Sequence, residues 1–157
     1  MKKLVRIFDN ETVVLQLLKK IFEKRGYTVF IYTDPAESDI YHSDICLCTP
    51  GRLCTDILIT DIRMGGIDGV AFVQKLRERG CRIPHIAMIS AYWDGYLLMM
   101  AKRLGCAILQ KPFSLADIYG WIDERENGRA LFATAQETPE ISGIDDTMSA
   151  GETTGAM

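Results

Sequence analysis

The sequence predicts an α/β fold in which a doubly wound, five-stranded parallel sheet is covered by helices on both faces. Three observations predict it. Short apolar runs alternate along the chain with amphipathic stretches of helical length, which is the order of a parallel sheet with crossover helices. These runs are nearly continuous, as expected for strands buried on both faces. Polar residues directly follow several of the runs, where the strands are expected to end.

The start of the chain contains two predicted strands and the helix between them. Leu4 to Phe8 is a short apolar run that leads into an acidic loop. We expect Gly26 to end the following helix, and residues 27–32, rich in β-branched and aromatic side chains, to form the second strand. The apolar positions that recur at helical spacing before Gly26, on the face opposite the outward-facing charged residues, are Val14, Leu17, Leu18 and Ile21.

The remaining elements follow in the same alternation. Gly80 and Gly105 are expected to end the third and fourth helices. Ser114 and Asp117 have the spacing of a capping box and open a last helix that runs to about Glu126. The remaining predicted strands cover residues 56–61, 83–89 and 107–110, and the remaining predicted helices cover residues 70–79 and 96–104.

Composition predicts one domain over residues 1–126. The chain has 157 residues, of which 48% are hydrophobic and 25% charged, a balance typical of a single globular core. Residues 127–157 are rich in small, polar and acidic residues and are predicted to be a disordered acidic tail. A net charge of −3 gives no broad basic surface for nucleic acid, and no apolar run is long enough to span a membrane. The start lacks the pattern of a signal peptide, so we expect a cytoplasmic location.

Polar side chains lie at four predicted strand ends. The first strand is followed by Asp9 and Asn10, the third ends at Asp61, the fourth ends near Ser90, and the fifth is followed by Lys111. In open parallel sheets, ligands bind beyond the carboxyl ends of the strands. The sequence therefore predicts one site at this edge that contains acids, a hydroxyl and an ammonium group.

The chain resembles the receiver domains of bacterial response regulators over about residues 3–126. This resemblance implies the flavodoxin-like fold of that family. Each matching fragment is weak alone, but all occur in order and each lies at a predicted strand end. The fragments are Asp9-Asn10-Glu11, Asp61-Ile-Arg-Met64 followed by Asp68-Gly69, Ser90-Ala91, and Lys111-Pro112-Phe113.

The resemblance implies that Asp61 accepts a phosphoryl group from a histidine kinase or a phosphotransfer protein in a two-component phosphorelay. A carboxylate attacks phosphorus to form an acyl phosphate, and catalysis consists mostly of positioning and charge stabilisation. The resemblance further implies that Ser90 and Lys111 contact the phosphoryl oxygens and that a cis peptide bond precedes Pro112. It implies a signalling protein rather than a conventional enzyme, although a receiver promotes its own phosphorylation and dephosphorylation. The implied Mg²⁺ ligands are Asp9, Asn10, Asp61 and the backbone carbonyl of Arg63.

By the same resemblance, a downstream protein docks on the face built from the fourth helix, the fifth strand and the fifth helix, where a homodimer is also possible. We expect Leu98 and Ala101 to face the sheet. Exposed methionine and aromatic residues suit a partner surface, although core packing explains the pattern equally well. The residues of which some should face outward are Trp93, Leu97, Met99 and Met100.

Departures from the family pattern leave a second hypothesis open. Asn10 stands where the family usually has a second acid, which lowers the expected affinity for Mg²⁺, and we do not expect Glu11 to compensate. Ile108, interpreted as a partly buried strand residue, replaces the usual aromatic, and Gly65 replaces a proline. The alternative function is a pseudo-receiver, a docking module with impaired metal binding.

Three cysteines, Cys46, Cys48 and Cys54, lie in an apparent insertion within residues 33–56. Their spacing differs from that of common zinc sites, and no fourth ligand is obvious, although His42 is nearby. We favour reduced thiols in an extended loop. A metal site or a thiol-based redox sensor is the alternative.

Overall fold

The computed structural model describes residues 2–135, and the side chains as far as residue 128. Most of the predicted acidic tail, residues 136–157, lies outside the described residues. A compact unit that contains the whole sheet ends at Gly120. A second unit begins at Trp121 and consists, within the described residues, of the rest of the last helix.

Strands and helices alternate in the predicted order. The strands are β1 (Leu4–Phe8), β2 (Thr28–Tyr32), β3 (Ile57–Asp61), β4 (His85–Ser90) and β5 (Ala107–Gln110). The helices are α1 (Thr12–Lys24), α2 (Asp39–His42), α3 (Gly69–Glu78), α4 (Gly95–Arg103) and α5 (Leu115–Ala135). All strand pairs are parallel, in the order β2-β1-β3-β4-β5. This confirms the predicted doubly wound α/β fold.

Helix α1 packs on the sheet through a narrower stripe than predicted. Its buried residues are Leu15, Leu18, Ile21 and Phe22. Leu17, which was predicted to share the buried face, is 40% exposed, so that prediction is wrong. Each residue turns about 100° around a helix axis, so Leu17 points away from the stripe centred on its neighbour Leu18.

The segment between β2 and β3 contains little regular structure, as its sequence predicts. A short 3₁₀-helix covers Pro35–Glu37, and Asp34 caps it by accepting a hydrogen bond from the backbone N–H of Ala36. Helix α2 has a single turn. The chain then runs as an irregular loop over residues 43–56, which is called the cysteine loop below.

Helix α4 buries only Ala101 fully. Ala101 therefore faces the core as predicted, and Met99 faces outward at 47% exposure. Leu98, predicted to face the sheet, is 42% exposed, so that prediction is wrong. Leu97 and Met100 flank Ala101 on the helix face and are half-buried against the core, which leaves Leu98 on the outer side.

Helix α5 continues to Ala135, past its predicted end near Glu126. A glycine at position 128 costs a helix only about 1 kcal/mol relative to alanine, and alanine and leucine are frequent in the residues that follow. The predicted domain boundary at residue 126 therefore falls inside a helix. Within residues 2–135, no helix is both long enough and apolar enough to cross a membrane.

Candidate functional site

Three strands bring charged side chains together at the carboxyl edge of the sheet. Asp61 is the last residue of β3, while Asp9 and Lys111 directly follow β1 and β5. The backbone N–H of Asp9 donates to the carbonyl of Tyr32 (3.1 Å), and that of Lys111 donates to the carbonyl of Ser90 (2.9 Å). Sheet-like pairing therefore continues to the functional positions and holds their backbones rigidly.

The ammonium group of Lys111 lies among three carboxylates. Its Nζ is 2.8 Å from Asp9 Oδ2, 3.1 Å from Glu11 Oε1 and 3.4 Å from Asp61 Oδ2. The side chains of Asp9 and Asp61 are only 1% and 8% exposed. Three carboxylates and one ammonium leave this acidic cluster with a formal net charge of −2, and only the Glu11 side chain, 61% exposed, lies open to solvent.

Glu11 belongs to the acidic cluster, although the strand pattern does not predict it there. Asp9 Oδ1 accepts a hydrogen bond from the backbone N–H of Glu11 (2.8 Å), which turns the chain sharply after β1. Such a turn brings a side chain two residues later back toward the aspartate. Asn10, between them, is exposed at the surface. The signal available in the sequence was the Asp-Asn-Glu turn motif itself.

Burial and charge act in opposite directions on the ionisable groups of the cluster. Burial, followed by the negative charge of Asp9, raises the pKa of Asp61, whereas the Lys111 ammonium opposes that rise. Burial by itself would lower the pKa of Lys111, but its contacts with Asp9, Glu11 and Asp61 outweigh burial and raise the pKa. Lys111 therefore stays cationic and offsets part of the charge on the carboxylates.

Gly69 fixes the backbone beneath Asp61. A Cβ atom at position 69 would lie 2.2 Å from the carbonyl oxygen of Asp61, a contact that no side chain tolerates. The backbone N–H of Gly69 also donates to the carbonyl of Ile62 (2.8 Å). Asp68, just before it, caps the start of α3, and its side chain accepts a hydrogen bond from the N–H of Ala71 (2.7 Å). Glycine is therefore required for the close approach of α3 to β3.

Ser90 and Arg63 flank Asp61. The Ser90 hydroxyl is buried, donates to the carbonyl of Tyr92 (2.8 Å) and accepts from the N–H of the same residue (3.1 Å). The backbone N–H of Arg63 donates to the Asp61 carboxylate, while the Arg63 guanidinium lies 5.4 Å from the centre of the Tyr92 ring. Asp61 pairs with Ile89, the residue before Ser90, across β3 and β4, so both Ser90 and Arg63 are close to Asp61 in the fold. The Ser90 hydroxyl is engaged with the backbone.

The acidic cluster fits a hard divalent cation. One oxygen each from Asp9, Glu11 and Asp61 lies within 4.8 Å of the others. Mg²⁺ binds oxygen ligands at about 2.0–2.1 Å and commonly uses one or two carboxylates together with waters. The net charge of −2 would be neutralised by one such ion. The residues present therefore suit Mg²⁺ as a cofactor.

The sequence of the chain matches one known protein family over most of its length. The family model described as "Response regulator receiver domain" matches residues 5–123. The chain belongs to the response regulator receiver domain family. Receiver domains are signalling domains of two-component systems, and phosphorylation on an aspartate with bound Mg²⁺ is general among them. The resemblance stated from the four sequence fragments is thus confirmed.

This receiver is similar to regulatory proteins of bacteria and fungi. It is 28% identical over 146 residues to the transcriptional regulatory protein FixJ of Azorhizobium caulinodans, covering 89% of the chain and 65% of FixJ. It is 28% identical to the transcription factor SKN7 of Candida albicans, covering 78% of the chain and 22% of SKN7. The chain thus spans less than two thirds of the length of these two relatives. It is 25% identical to sporulation initiation phosphotransferase F of Bacillus subtilis, covering 75% of the chain and 89% of that protein.

Solved structures confirm the fold of the receiver. A CheY-like receiver domain protein from Methanospirillum hungatei matches with a TM-score of 0.67 and 20% identity, covering 84% of this chain and 99% of the other. A receiver protein from Pseudomonas putida matches with a TM-score of 0.65 and 19% identity, covering 79% of this chain and 98% of the other.

Two expectations drawn from the family can be compared with the receiver's structure. The Lys111–Pro112 peptide bond is cis, as the resemblance implied. Ile108, expected to be partly buried, is 41% exposed on β5, so that expectation is wrong. β5 is an edge strand, so no neighbouring strand lies along its outer side to shield its side chains.

Proposed function

We propose that this receiver accepts a phosphoryl group on Asp61 from a histidine kinase or a phosphotransfer protein in a Mg²⁺-dependent reaction. One observation carries the proposal. The Asp61 carboxylate lies at the end of β3, nearly buried, beside Asp9 and 3.4 Å from the Lys111 ammonium. A carboxylate with both acidic and basic neighbours in a shielded site suits transfer of a highly charged group.

Phosphoryl transfer to Asp61 needs a nucleophile and positive charge close to the phosphoryl oxygens. An Asp61 carboxylate oxygen forms a bond to phosphorus while the bond from phosphorus to the donor's nitrogen or oxygen breaks, which yields an acyl phosphate and frees the donor group. Bound Mg²⁺ supplies positive charge to the phosphoryl oxygens. We infer that Lys111 moves from the Asp61 carboxylate to a phosphoryl oxygen, and that Ser90 turns its hydroxyl from the Tyr92 carbonyl toward another. Their present contacts with Asp61 and Tyr92 support both roles.

We assign the metal to Asp9, Asp61, the backbone carbonyl of Arg63 and the side-chain carbonyl of Asn10. The position of Glu11 among the carboxylates supports a further contribution to the charge that attracts the ion. An Asn10→Asp substitution should tighten Mg²⁺ binding about tenfold or more, because it adds a negative charge close to a divalent ion. Glu11→Gln should weaken binding, and titration calorimetry measures both effects.

The proposal includes a partner protein that reads the phosphorylated state. Exposed apolar side chains on α4 and β5 support the face built from α4, β5 and α5 as its docking surface, either for a downstream protein or for a second copy. The net charge of −3 argues against direct contact with nucleic acid or an anionic membrane, in keeping with a cytoplasmic location. The exposed residues concerned are Tyr96, Leu98, Met99 and Ile108.

Acetyl phosphate, a small phosphoryl donor, provides the direct test. Incubated with it and Mg²⁺, the full chain should gain the mass of one phosphoryl group, and the Asp61→Asn variant should gain none. Asp68→Asn is the matched control, since asparagine caps a helix as well as aspartate does, and it should label normally. Labelling that persists in Asp61→Asn would contradict the assignment of the acceptor.

The second candidate function is a pseudo-receiver that docks partners without accepting phosphoryl. The observation that favours it is Asn10, which removes one acid from the usual pair beside the phosphoryl site. This alternative predicts no labelling and no Mg²⁺ binding at millimolar concentration in the unmodified chain. Recovery of labelling in Asn10→Asp would then identify the missing acid as the cause.

A further inference from the structure

Four cysteine thiols lie together at the amino edge of the sheet, opposite the acidic cluster. Phosphoryl transfer to Asp61 does not use them. The Sγ atoms of Cys46, Cys48, Cys54 and Cys81 all lie within 4.8 Å of one another. Cys81 was not part of the cluster expected from the sequence, because it lies 27 residues after Cys54. It supplies the fourth ligand that the spacing of the other three lacked.

Contacts between two chain segments hold the four thiols together. The cysteine loop contributes three of them, and the turn between α3 and β4 contributes Cys81. The backbone N–H of Cys46 donates to the carbonyl of Arg79 (3.3 Å), and the Arg79 guanidinium donates to the carbonyl of Tyr41 (2.8 Å). The Arg82 guanidinium donates to the carbonyl of Thr49 (2.9 Å). The cysteine loop is therefore fastened to this turn at two points, and α2 is fastened to it at a third.

Backbone N–H groups point at the sulfur atoms. The N–H of Cys48 donates to Cys46 Sγ and that of Cys54 donates to Cys48 Sγ, both at 3.3 Å. The N–H of Ile83 donates to the sulfur of Cys81. Donors of this kind stabilise negative charge on sulfur and orient thiolates that bind a metal. The surroundings thus offer backbone donors that would stabilise thiolates bound to a metal.

The sulfur separations favour a tetrahedral ion over a disulfide. Cys54 Sγ and Cys81 Sγ are 3.6 Å apart. A disulfide requires about 2.05 Å, whereas Zn–S bonds of about 2.3 Å place tetrahedral ligands roughly 3.8 Å apart. The widest separation, within 4.8 Å, exceeds that tetrahedral edge by only about 1 Å. Small side-chain rotations are therefore sufficient to complete the coordination sphere.

We propose that Cys46, Cys48, Cys54 and Cys81 bind one Zn²⁺ ion in a closed, structural site. On binding, four S–H protons pass to solvent, four Zn–S bonds form, and no atom changes oxidation state. The resulting centre carries a charge of −2. The Arg77 side chain, in the last turn of α3, lies nearby and donates to the carbonyls of Cys81 (3.1 Å) and Ile83 (3.0 Å). The ion would fasten the cysteine loop to the turn between α3 and β4.

The metal content of the full chain tests the site. Protein purified without chelator should contain one zinc per chain, measured by native mass spectrometry and elemental analysis. Replacing zinc with Co²⁺ should give the visible d–d bands and near-ultraviolet sulfur-to-metal absorption of tetrahedral thiolate coordination. Protein that takes up neither metal, or that loses both on desalting, would overturn the proposal.

Cysteine variants localise the ion. Cys81→Ser and Cys48→Ser should each lose the zinc and the cobalt spectrum. Cys106→Ser is the matched control, because Cys106 is half-buried and lies outside the cluster, and it should retain both. If a cluster variant does not fold, as judged by circular dichroism, the cobalt spectrum of the unmodified chain still decides. Zinc retained in folded Cys81→Ser, or a Cys54–Cys81 disulfide in metal-free native protein, would overturn the assignment.

Discussion

The two edges of the sheet carry two clusters of different chemistry. The carboxyl edge bears the acidic cluster, whose oxygens come from residues at the ends of strands. The amino edge bears the thiols, which come from loops that precede β3 and β4. A five-residue strand such as β3 separates the edges by about 16 Å. The sheet itself brings Asp9, Asp61 and Lys111 together, whereas contacts between irregular segments create the thiol cluster.

The clusters should select different metals. Carboxylate oxygens are hard ligands that suit Mg²⁺, and thiolates are soft ligands that suit Zn²⁺. Since about 16 Å of sheet separates the two edges, each ion is expected to bind without help from the other. The predictions below test that independence, from the largest expected effect to the smallest.

The largest effect is a reciprocal loss of function. Asp61→Asn should abolish phosphoryl labelling and leave the zinc content unchanged, because the thiols do not depend on that carboxylate. Cys54→Ser should lose the zinc and still label on Asp61. Intact mass after acetyl phosphate treatment and elemental analysis give both readings. A variant that stays folded yet loses both phosphoryl labelling and bound zinc would show that the two edges are coupled.

Removal of the ammonium from the acidic cluster should destabilise the fold strongly. Lys111→Met leaves three close carboxylates, two of them buried, at a cost of about 3 kcal/mol. Added Mg²⁺ should restore more stability to this variant than to the unmodified chain, because the ion replaces the lost positive charge. Urea unfolding with and without Mg²⁺ measures the difference. Lys102→Met, at an exposed position on α4, should cost less than about 1 kcal/mol.

A methyl group at position 69 should damage the carboxyl edge alone. Gly69→Ala places Cβ 2.2 Å from the Asp61 carbonyl oxygen, which overpacks the site by about 1–3 kcal/mol and slows labelling. Gly65→Ala is the matched control, because its Cβ would meet no atom within 4 Å. Equal labelling rates for the two variants would contradict the role assigned to Gly69.

The smallest effect concerns one exposed contact at the amino edge. Arg82→Ala removes the hydrogen bond to the Thr49 carbonyl and should cost less than about 1 kcal/mol. Zinc content should remain at one per chain, because the sulfur ligands themselves are untouched. Thermal unfolding measures the loss of stability, and elemental analysis measures the zinc content. Loss of zinc in Arg82→Ala would mean that the Arg82 side chain is essential to the conformation of the cysteine loop.

The carboxyl edge is largely predictable from the sequence, whereas the amino edge is not. Parallel strands place their last residues at one edge, so the strand pattern alone predicts that Asp9, Asp61 and Lys111 lie together. Glu11 escapes this prediction because its position depends on a turn stabilised by a side chain. Cys81 escapes it because loop contacts, which hydrophobic periodicity does not reveal, bring it to the other three cysteines.

The wrong predictions about the helices have a related cause. Leu17 and Leu98 are apolar, but periodicity alone does not say how wide the buried stripe of a helix is, and both lie outside it. Helix α5 extends past its predicted end because the change in composition after residue 126 does not interrupt the helix. In each case tertiary packing or intrinsic helix propensity outweighs the pattern used for the prediction.

Close backbone contacts at Gly69 couple the position of α3 to that of β3. The Gly69 backbone lies against the Asp61 carbonyl and donates to the Ile62 carbonyl, so a displacement of the Asp61 backbone moves the first turn of α3 with it. Phe72 and Val73, one turn further along, are fully buried in a close-packed core that resists compression. We therefore expect the side chains beneath α3 to influence the stiffness of the site, and substitutions there offer a way to adjust it without altering any charged group.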